Sequence, residues 1–322
     1  MLLIISNQKD ATVDYLVPFL VKSSIPFLRF DTDCCLKKST LSYEDSTALL
    51  EYSGTNYEPG VFDAVWYRRP ESLRSPGLAP EEVFTLNEWS EMFENYFALI
   101  PSEKWINHPT NNARASHKIH QLEIAKSLGL EVPDTLVTMS EERFKTFYEK
   151  HSGKIIVKPM FSGYIDRNGI GNDSLIYTNR VSESYLTRIH EIKACPTLFQ
   201  EEISKSADVR ITILDGTIAS VKLLSQNNDG NQGCDIRINN MRGVAYSTID
   251  LPTDVRHGLM ALMDYYSLRF AAIDMVIDKN EKWFFLEINP NGQWAWLGRV
   301  CTTLALYRYD CYTPEWNGHK NT

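Results

Sequence analysis

No stretch of the 322-residue chain stays apolar for the roughly eighteen residues that a membrane helix needs. The N-terminus, MLLIISNQKD, has neither the basic start nor the long apolar core of a signal peptide, so a cytoplasmic protein is expected. Basic residues are in the minority, 33 Lys and Arg against 41 Asp and Glu, for a net charge of -8. That balance disfavours a general nucleic-acid binder. Neither nucleic acid nor membrane is therefore an expected partner. The six cysteines (Cys34, Cys35, Cys195, Cys234, Cys301 and Cys311) contain no CxxC pair and no zinc-like spacing with the seven histidines. They are expected to be reduced thiols that mostly pack. The chain also has no P-loop and no dinucleotide fingerprint. What remains is an enzyme-sized chain, long enough for two or three packed units.

The most informative stretch present is FAAIDMVIDKNEKWFFLEINPNGQW, which puts Asp274 on one apolar strand and Glu287 with Asn289 on the next. Side chains alternate along a strand, so Glu287 and Asn289 share a face, and an antiparallel return brings Asp274 close to them. A solvated hairpin seldom sets its acids between residues as apolar as Phe285, Leu286 and Ile288. Two carboxylates and an amide oxygen are hard ligands, suited to Mg²⁺ that also holds a nucleotide's phosphates.

Ahead of this hairpin the chain opens as α/β, with strands over 2–5 and 26–30 flanking a helix over 13–22. The polar stretch 36–57 suits a small antiparallel sheet, and AVWYRRP (64–70) suits a strand ended by proline. Arg68 and Arg69 at its end would meet either an anion, an acidic peptide or solvent. A helix is expected over 86–100, with Thr85 and Glu88 as a capping box and Trp89, Phe93, Phe97 and Ile100 on its core face. WINHP leads to a further helix over 112–128, closed by Gly129, with Ala115, Ile119, Leu122 and Leu128 inward and Lys118 on the flank of that stripe. After Pro252 an amphipathic helix buries Val255, Leu259, Leu262 and Tyr266.

The cationic half of a site lies between. Lys158 ends the strand KIIVKP, a place where a lysine usually meets an anion. The loop FSGYIDRNGIGND that follows, with Gly163, Gly169 and Gly171, has the composition of a flap able to close over phosphates. An extended run over 197–203 then leads through a turn to a strand over 208–214. Such a connector can offer backbone groups to an adenine edge, and Asp208, or Glu202, can accept from ribose hydroxyls. A salt-bridged surface hairpin would fit this segment equally well. Arg210 shares the face of Asp208. In the polar stretch NNDGNQGCDIRINNMRG the embedded DIRIN suits a short extended segment, and its Arg237 suits charge stabilisation in phosphoryl transfer.

Taken together, Lys118, the KIIVKP lysine, FQEEI, Asp208-Val-Arg210, Asp274 and Glu287-Ile-Asn289 resemble an ATP-grasp ligase. AVWYRRP, WINHPTNNARASHKIHQL, PDTLVT, PTLFQEEISKSADVRITI and FLEINPNGQWAWL look like the graspetide macrocyclases, the microviridin-type peptide maturases. The resemblance covers residues 1–297 and implies an α/β ATP-grasp fold: an N-terminal pre-ATP-grasp domain over 1–110, a central subdomain over 111–199 and a C-terminal subdomain with the metal site over 200–322. It implies that Lys118 and Lys158 hold ATP phosphates, that Gln200, Glu201, Glu202 and Ile203 frame adenine, and that Asp208 binds ribose. Arg210 and Arg237 would face the phosphates and the acyl group, and Asp274, Glu287 and Asn289 would hold Mg²⁺. The activity implied is macrocyclisation of a ribosomal precursor peptide with a leader and an acidic, Thr-rich core, through an acyl phosphate. A homodimer is compatible with it. A ligase acting on a small molecule or a protein tail would share every nucleotide residue. Beyond Leu297 the chain departs from the family pattern, with Gly298 and Arg299 where an acid and a glycine-containing helix are expected.

Overall fold

The apolar run at the N-terminus becomes the middle strand of a parallel sheet. In the computed structural model, which describes residues 1–73, 77–161, 163–165, 174–225 and 244–295, β1 (Leu2–Ser6), α1 (Ala11–Lys22) and β2 (Phe27–Asp31) come first. A three-stranded antiparallel sheet follows, made of β3 (Ser39–Glu44), β4 (Thr47–Tyr52) and β5 (Thr55–Tyr57), and then β6 (Ala64–Tyr67). The parallel sheet has the order β2-β1-β6. Asp10 starts α1 by accepting the Thr12 N–H at 3.0 Å, and Thr12, Val13, Leu16 and Leu20 form its buried face.

Helix α2 (Pro80–Ala98) begins six residues before the expected start of 86. Pro80 opens it and Glu82 reaches back to the Ala79 N–H at 2.9 Å, whereas the Thr85 hydroxyl donates to the Glu81 carbonyl inside the helix and caps nothing. Its aromatic stripe is core as expected, Phe93 and Ile100 being buried with Tyr96. The single helix expected over 112–128 is two, α3 (Pro109–Ala115) and α4 (Lys118–Ser127). Side chains replace the helical bonds at the break: Ser116 Oγ donates to the Asn112 carbonyl at 2.7 Å, and Gln121 Nε2 donates to the Ala115 carbonyl at 2.6 Å. The break turns Ile119 out to solvent, not inward. Gly129 closes α4 with a φ of +83°.

The next unit is β7 (Thr135–Thr138), α5 (Glu141–Lys150), β8 (Ile155–Lys158), the short pair β9 (Tyr164–Ile165) and β10 (Ser174–Leu175), β11 (Asn179–Arg180), α6 (Glu183–Leu186) and β12 (Thr197–Glu201). Its main sheet runs β11-β8-β12-β7. The last is a five-stranded antiparallel sheet of order β15-β14-β13-β16-β17. It comprises β13 (Lys205–Leu214), which starts three residues earlier than expected, β14 (Thr217–Ser225), β15 (Val244–Thr248), β16 (Phe270–Asp278) and β17 (Trp283–Asn289), with α7 (Thr253–Tyr265) between β15 and β16.

Alternation along β13 and β16 puts Val209, Ile211, Ile213, Ala271, Ile273, Met275 and Ile277 on one buried face, packed on Leu122 and Ala125 of α4 and Leu259, Leu262 and Met263 of α7. A second core joins this sheet to the N-terminal unit, with Leu214, Val221, Phe270 and Trp294 against Ile4, Leu16, Leu20 and Trp66. Each such side chain contributes about 1.5–3 kcal/mol by leaving water. Among the described residues no helix is long and apolar enough to cross a membrane. Gly169 and Gly171, the DIRIN segment with Arg237, and the divergent tail from Gly298 lie outside the described residues.

Candidate active site

The site is a row of charged residues across the face of the last sheet opposite its helices. Arg210 on β13 pairs in register with Asp274 on β16, which pairs with Glu287 on β17. Arg210 Nη1 donates to Asp274 Oδ1 at 2.6 Å, and its Nη2 to the Gln293 carbonyl at 2.8 Å. The register slips after the Asp274–Glu287 pair, because Met275 faces Phe285 and Leu286 is the extra residue. This bulge lets Phe285 and Ile288, three apart, both reach the core while Glu287 and Asn289 share the opposite face. Asn289 Nδ2 donates to Glu287 Oε1 at 3.1 Å and lies 3.5 Å from Asp274 Oδ2. An amide nitrogen between two carboxylates marks where a cation fits. With the amide turned over, its oxygen completes a hard three-oxygen donor set. The donors present therefore fit Mg²⁺.

Two lysines face this row. Lys118, the first residue of α4, lies 3.2 Å from Glu287 Oε2 and donates to the Pro159 carbonyl at 3.2 Å. Burial alone would push the Glu287 carboxyl up. The ammonium groups of Lys118 and Lys158, with the Asn289 bond, outweigh it and hold the group down at about 2. Lys158, at the end of β8, donates to Gln200 Oε1 at 2.9 Å, and Gln200 Nε2 passes the link on to Thr135 Oγ1 at 2.9 Å. The strand-end lysine and the buried connector glutamine thus orient one another.

In the connector, the N–H groups of Glu201 and Glu202 donate to the carbonyls of Asp134 and Lys154 at 2.9 Å each. Glu201 accepts the Asp134 N–H at 2.9 Å, and Glu202 pairs with Arg180 at 2.6 Å. Ile203 lies beyond β12, and its carbonyl accepts the Lys205 N–H at 2.8 Å. Asp208 lies on the same sheet face as Arg210, and Lys205 Nζ reaches both its oxygens at 2.8 Å. Lys118, Arg210, Asp274, Glu287 and Asn289 come together directly, and the Lys158 charge acts on Glu287. Asp208 and the connector are joined to them through β13 and Gln200.

Two residues that hold this geometry were not singled out from the sequence. Gln121 of α4 donates to the Ile288 carbonyl at 3.0 Å and accepts the Ile288 N–H at 3.1 Å. Strand β17 is the edge of its sheet, so this glutamine does the work of a missing neighbour at the residue between Glu287 and Asn289. Asn107, in WINHP, accepts the N–H groups of Arg269 and Phe270 at 2.9 and 3.1 Å and donates to the carbonyls of Phe270 and Pro290 at 2.8 and 3.1 Å. It ties the start of β16 to the exit of β17. Asn107 could have been flagged as a polar residue directly after the apolar Trp105 and Ile106, whereas Gln121 stands in the mixed segment KIHQLE and carries no such signal. Arg68 meets neither a solvated edge nor an incoming anion: its side chain is fully buried, 3.2 Å from Asp10 Oδ2. Arg69 beside it is exposed.

No protein-family model matches the chain, and no curated protein matches it. Solved structures do. Macrocyclase MdnC from Microcystis aeruginosa, bound with precursor peptide MdnA, superposes with a TM-score of 0.79 at 26% identity, over 92% of this chain and 93% of that one. A RiPP-associated ATP-grasp ligase from Chryseobacterium gregarium, in complex with ADP and a leader and core peptide, gives 0.78 at 25% identity over 96% of each chain. At 18% identity, ATP-grasp ligase PsnB complexed with minimal precursor, Mg and ADP gives 0.74 over 97% of each chain, a likeness of fold. The fold defines the class: the chain is an ATP-grasp ligase. Within that class its likeness is to the graspetide macrocyclases.

Proposed function

We propose that the protein uses ATP to close side-chain rings in a ribosomal precursor peptide. The γ-phosphoryl group passes to an Asp or Glu carboxylate of the peptide, leaving ADP and an acyl phosphate. A Thr or Ser hydroxyl, or a Lys amine, then attacks the acyl carbon; phosphate leaves, the attacking group gives up a proton, and an ester or amide remains. Such chemistry needs charge neutralisation and positioning more than a protein nucleophile. Lys118 and Lys158 are assigned to the phosphates and Arg210 to the transferring or acyl oxygen. Asp208 is assigned to ribose, and Gln200 to Ile203 to adenine. Since the N–H groups of Glu201 and Glu202 are taken up inside the fold, an adenine edge would meet carbonyls here or the backbone of Ile203. Asp274, Glu287 and Asn289 would hold Mg²⁺, which supplies further neutralisation of phosphate charge when bound. Arg237 is assigned beside Arg210 on the resemblance alone. The division of the chain at 110 and 199 goes with the same proposal, as does a cytoplasmic location, where ATP is available.

One observation carries this reading over a ligase for small molecules or protein tails. The likeness at 25–26% identity spans more than nine-tenths of the chain, the N-terminal unit included, and both relatives were solved with peptides. A docked leader raises the local concentration of the core at the site. The test is incubation with ATP, Mg²⁺ and a full precursor bearing an acidic, Thr-rich core. Each ring should lighten the peptide by one water, with one ADP formed per ring and little ATP hydrolysis without peptide. A product heavier by an amino-acid residue, or full activity on a free small acid, would overturn the assignment.

A further inference from the structure

The carboxyl ends of the strands in an open parallel sheet, where the chain order reverses, are where α/β folds commonly take a ligand. In the order β2-β1-β6 that point lies beside β1, and here it is filled from within the chain. Asp10, just past β1, and Arg68, just past β6, form an ion pair whose side chains are both fully buried. Ser6 Oγ donates to Asp10 at 2.9 Å, and Arg68 Nη2 donates to Thr12 Oγ1 at 3.1 Å. The remaining donor of the guanidinium points out of the unit: Arg68 Nη1 donates to the carbonyls of Asn291 and Gly292 at 2.5 and 2.8 Å.

Those carbonyls belong to the turn that leaves β17 directly after Asn289. The turn is tight, because a Cβ on Gly292 would lie 2.3 Å from the Ala272 Cβ and 3.1 Å from Arg210 Nη2. The next residue, Gln293, offers the carbonyl that orients Arg210, and Arg210 orients Asp274. Asn112 Nδ2 reaches Asn291 Oδ1 at 3.2 Å, and Asn107 holds the Pro290 carbonyl. Every residue of the turn from Pro290 to Gly292, which follows Asn289 directly, is thus gripped by a side chain from before residue 113.

We propose that Arg68 is a positioning residue for the metal-bound nucleotide: through the carbonyls of Asn291 and Gly292 it fixes Asn289 on one side and, by way of Gln293 and Arg210, Asp274 on the other. This rests on the nucleotide and Mg²⁺ assignments made above. Arginine suits the task because one planar fork serves a carboxylate, a hydroxyl and two carbonyls at once, which a lysine ammonium cannot. Partners that orient metal ligands usually change metal affinity by about 10–100-fold when lost.

The experiment measures ADP affinity with and without Mg²⁺ by calorimetry on the full chain. Two variants are compared with wild type: Arg68→Lys, which keeps the charge beside Asp10, and the double variant Asp10→Asn with Arg68→Met, which removes both buried charges together so that neither is left unpaired. In both, the gain in ADP affinity that Mg²⁺ brings should shrink by about tenfold, while metal-free ADP affinity stays within about twofold of wild type. An undiminished Mg²⁺-dependent gain in either variant would overturn the proposal, and so would an equal fall with and without Mg²⁺, which is the mark of a structural role alone. A wild-type protein that binds no ADP under either condition would take down the functional assignment itself, a different result from both.

Discussion

At the scale of single residues the site is arranged so that charges hold one another in their ionised forms. Glu287 carries the largest share. It is held at about 2 by two ammonium groups against the pull of burial, so it stays a carboxylate throughout the working range of an enzyme. On the proposed assignment Glu287→Gln removes one negative Mg²⁺ ligand and leaves Lys118 without its carboxylate; turnover should fall below detection with the circular dichroism spectrum unchanged. Near-native turnover with an unchanged Mg²⁺ requirement would remove Glu287 from the site. The two lysines should separate. Lys158 is oriented at its strand end by the Gln200 amide, so Lys158→Ala should cost nucleotide binding roughly 1.5–3 kcal/mol in a calorimetric titration. Lys118 already spends its charge on Glu287, so Lys118→Ala should show a smaller loss of nucleotide affinity. Equal losses would contradict this division.

At the scale of elements, β17 is an edge strand in which Glu287 and Asn289, on one face, flank a residue held by a helix side chain. Gln121→Met keeps the volume but leaves the Ile288 N–H and carbonyl buried without partners. Stability should drop by roughly 2 kcal/mol in denaturant unfolding, and a midpoint equal to wild type would mean that the edge finds another partner. The same elements show what could be read beforehand. The acid row was legible because β16 and β17 are apolar enough for three polar residues to stand out, and alternation alone puts Glu287 and Asn289 together. The bulge at Leu286 was not, since one extra residue leaves the composition of a strand unchanged. The break between α3 and α4 was hidden for a related reason: Ala115 and Leu122, two full turns apart, keep the apolar spacing across it, while the bonds from Ser116 and Gln121 that replace the helix ladder leave no periodic mark. Arg68 at a strand end left an anion, an acidic peptide or solvent open as partners, because those it has are remote in sequence: Asp10 and Thr12 well before it, and Asn291 and Gly292 more than two hundred positions after it.

At the scale of the whole molecule, several ionisable groups keep their protons to a higher pH in the folded chain than in the unfolded one. Burial pushes the Cys35 thiol up from its usual 9 to about 12, and burial with nearby Cys34 takes the Tyr52 phenol from 10 to about 12. Burial beside Tyr265 does the same to Tyr266, also to about 12, and burial raises Tyr96 as well. The unfolded chain releases these protons first, so the stability they represent is complete below about pH 9 and is lost as pH rises from there towards 12. Melting temperature should therefore be flat on the mildly alkaline side and fall steeply above about pH 9, and a flat profile up to pH 11 would refute it. The grip of Arg68 on the turn after β17 also sets an order of events. A chain that grows from its N-terminus completes the first parallel sheet, with Asp10 and Arg68 in place, while the residues that will receive that guanidinium have yet to be made. Until the final hairpin emerges, water has to stand in for the carbonyls of Asn291 and Gly292. The row from Arg210 to Asn289 can therefore close only once β17 and its turn have emerged, and a nascent chain stalled before β17 would hold a finished N-terminal sheet with its guanidinium still waiting for its carbonyls.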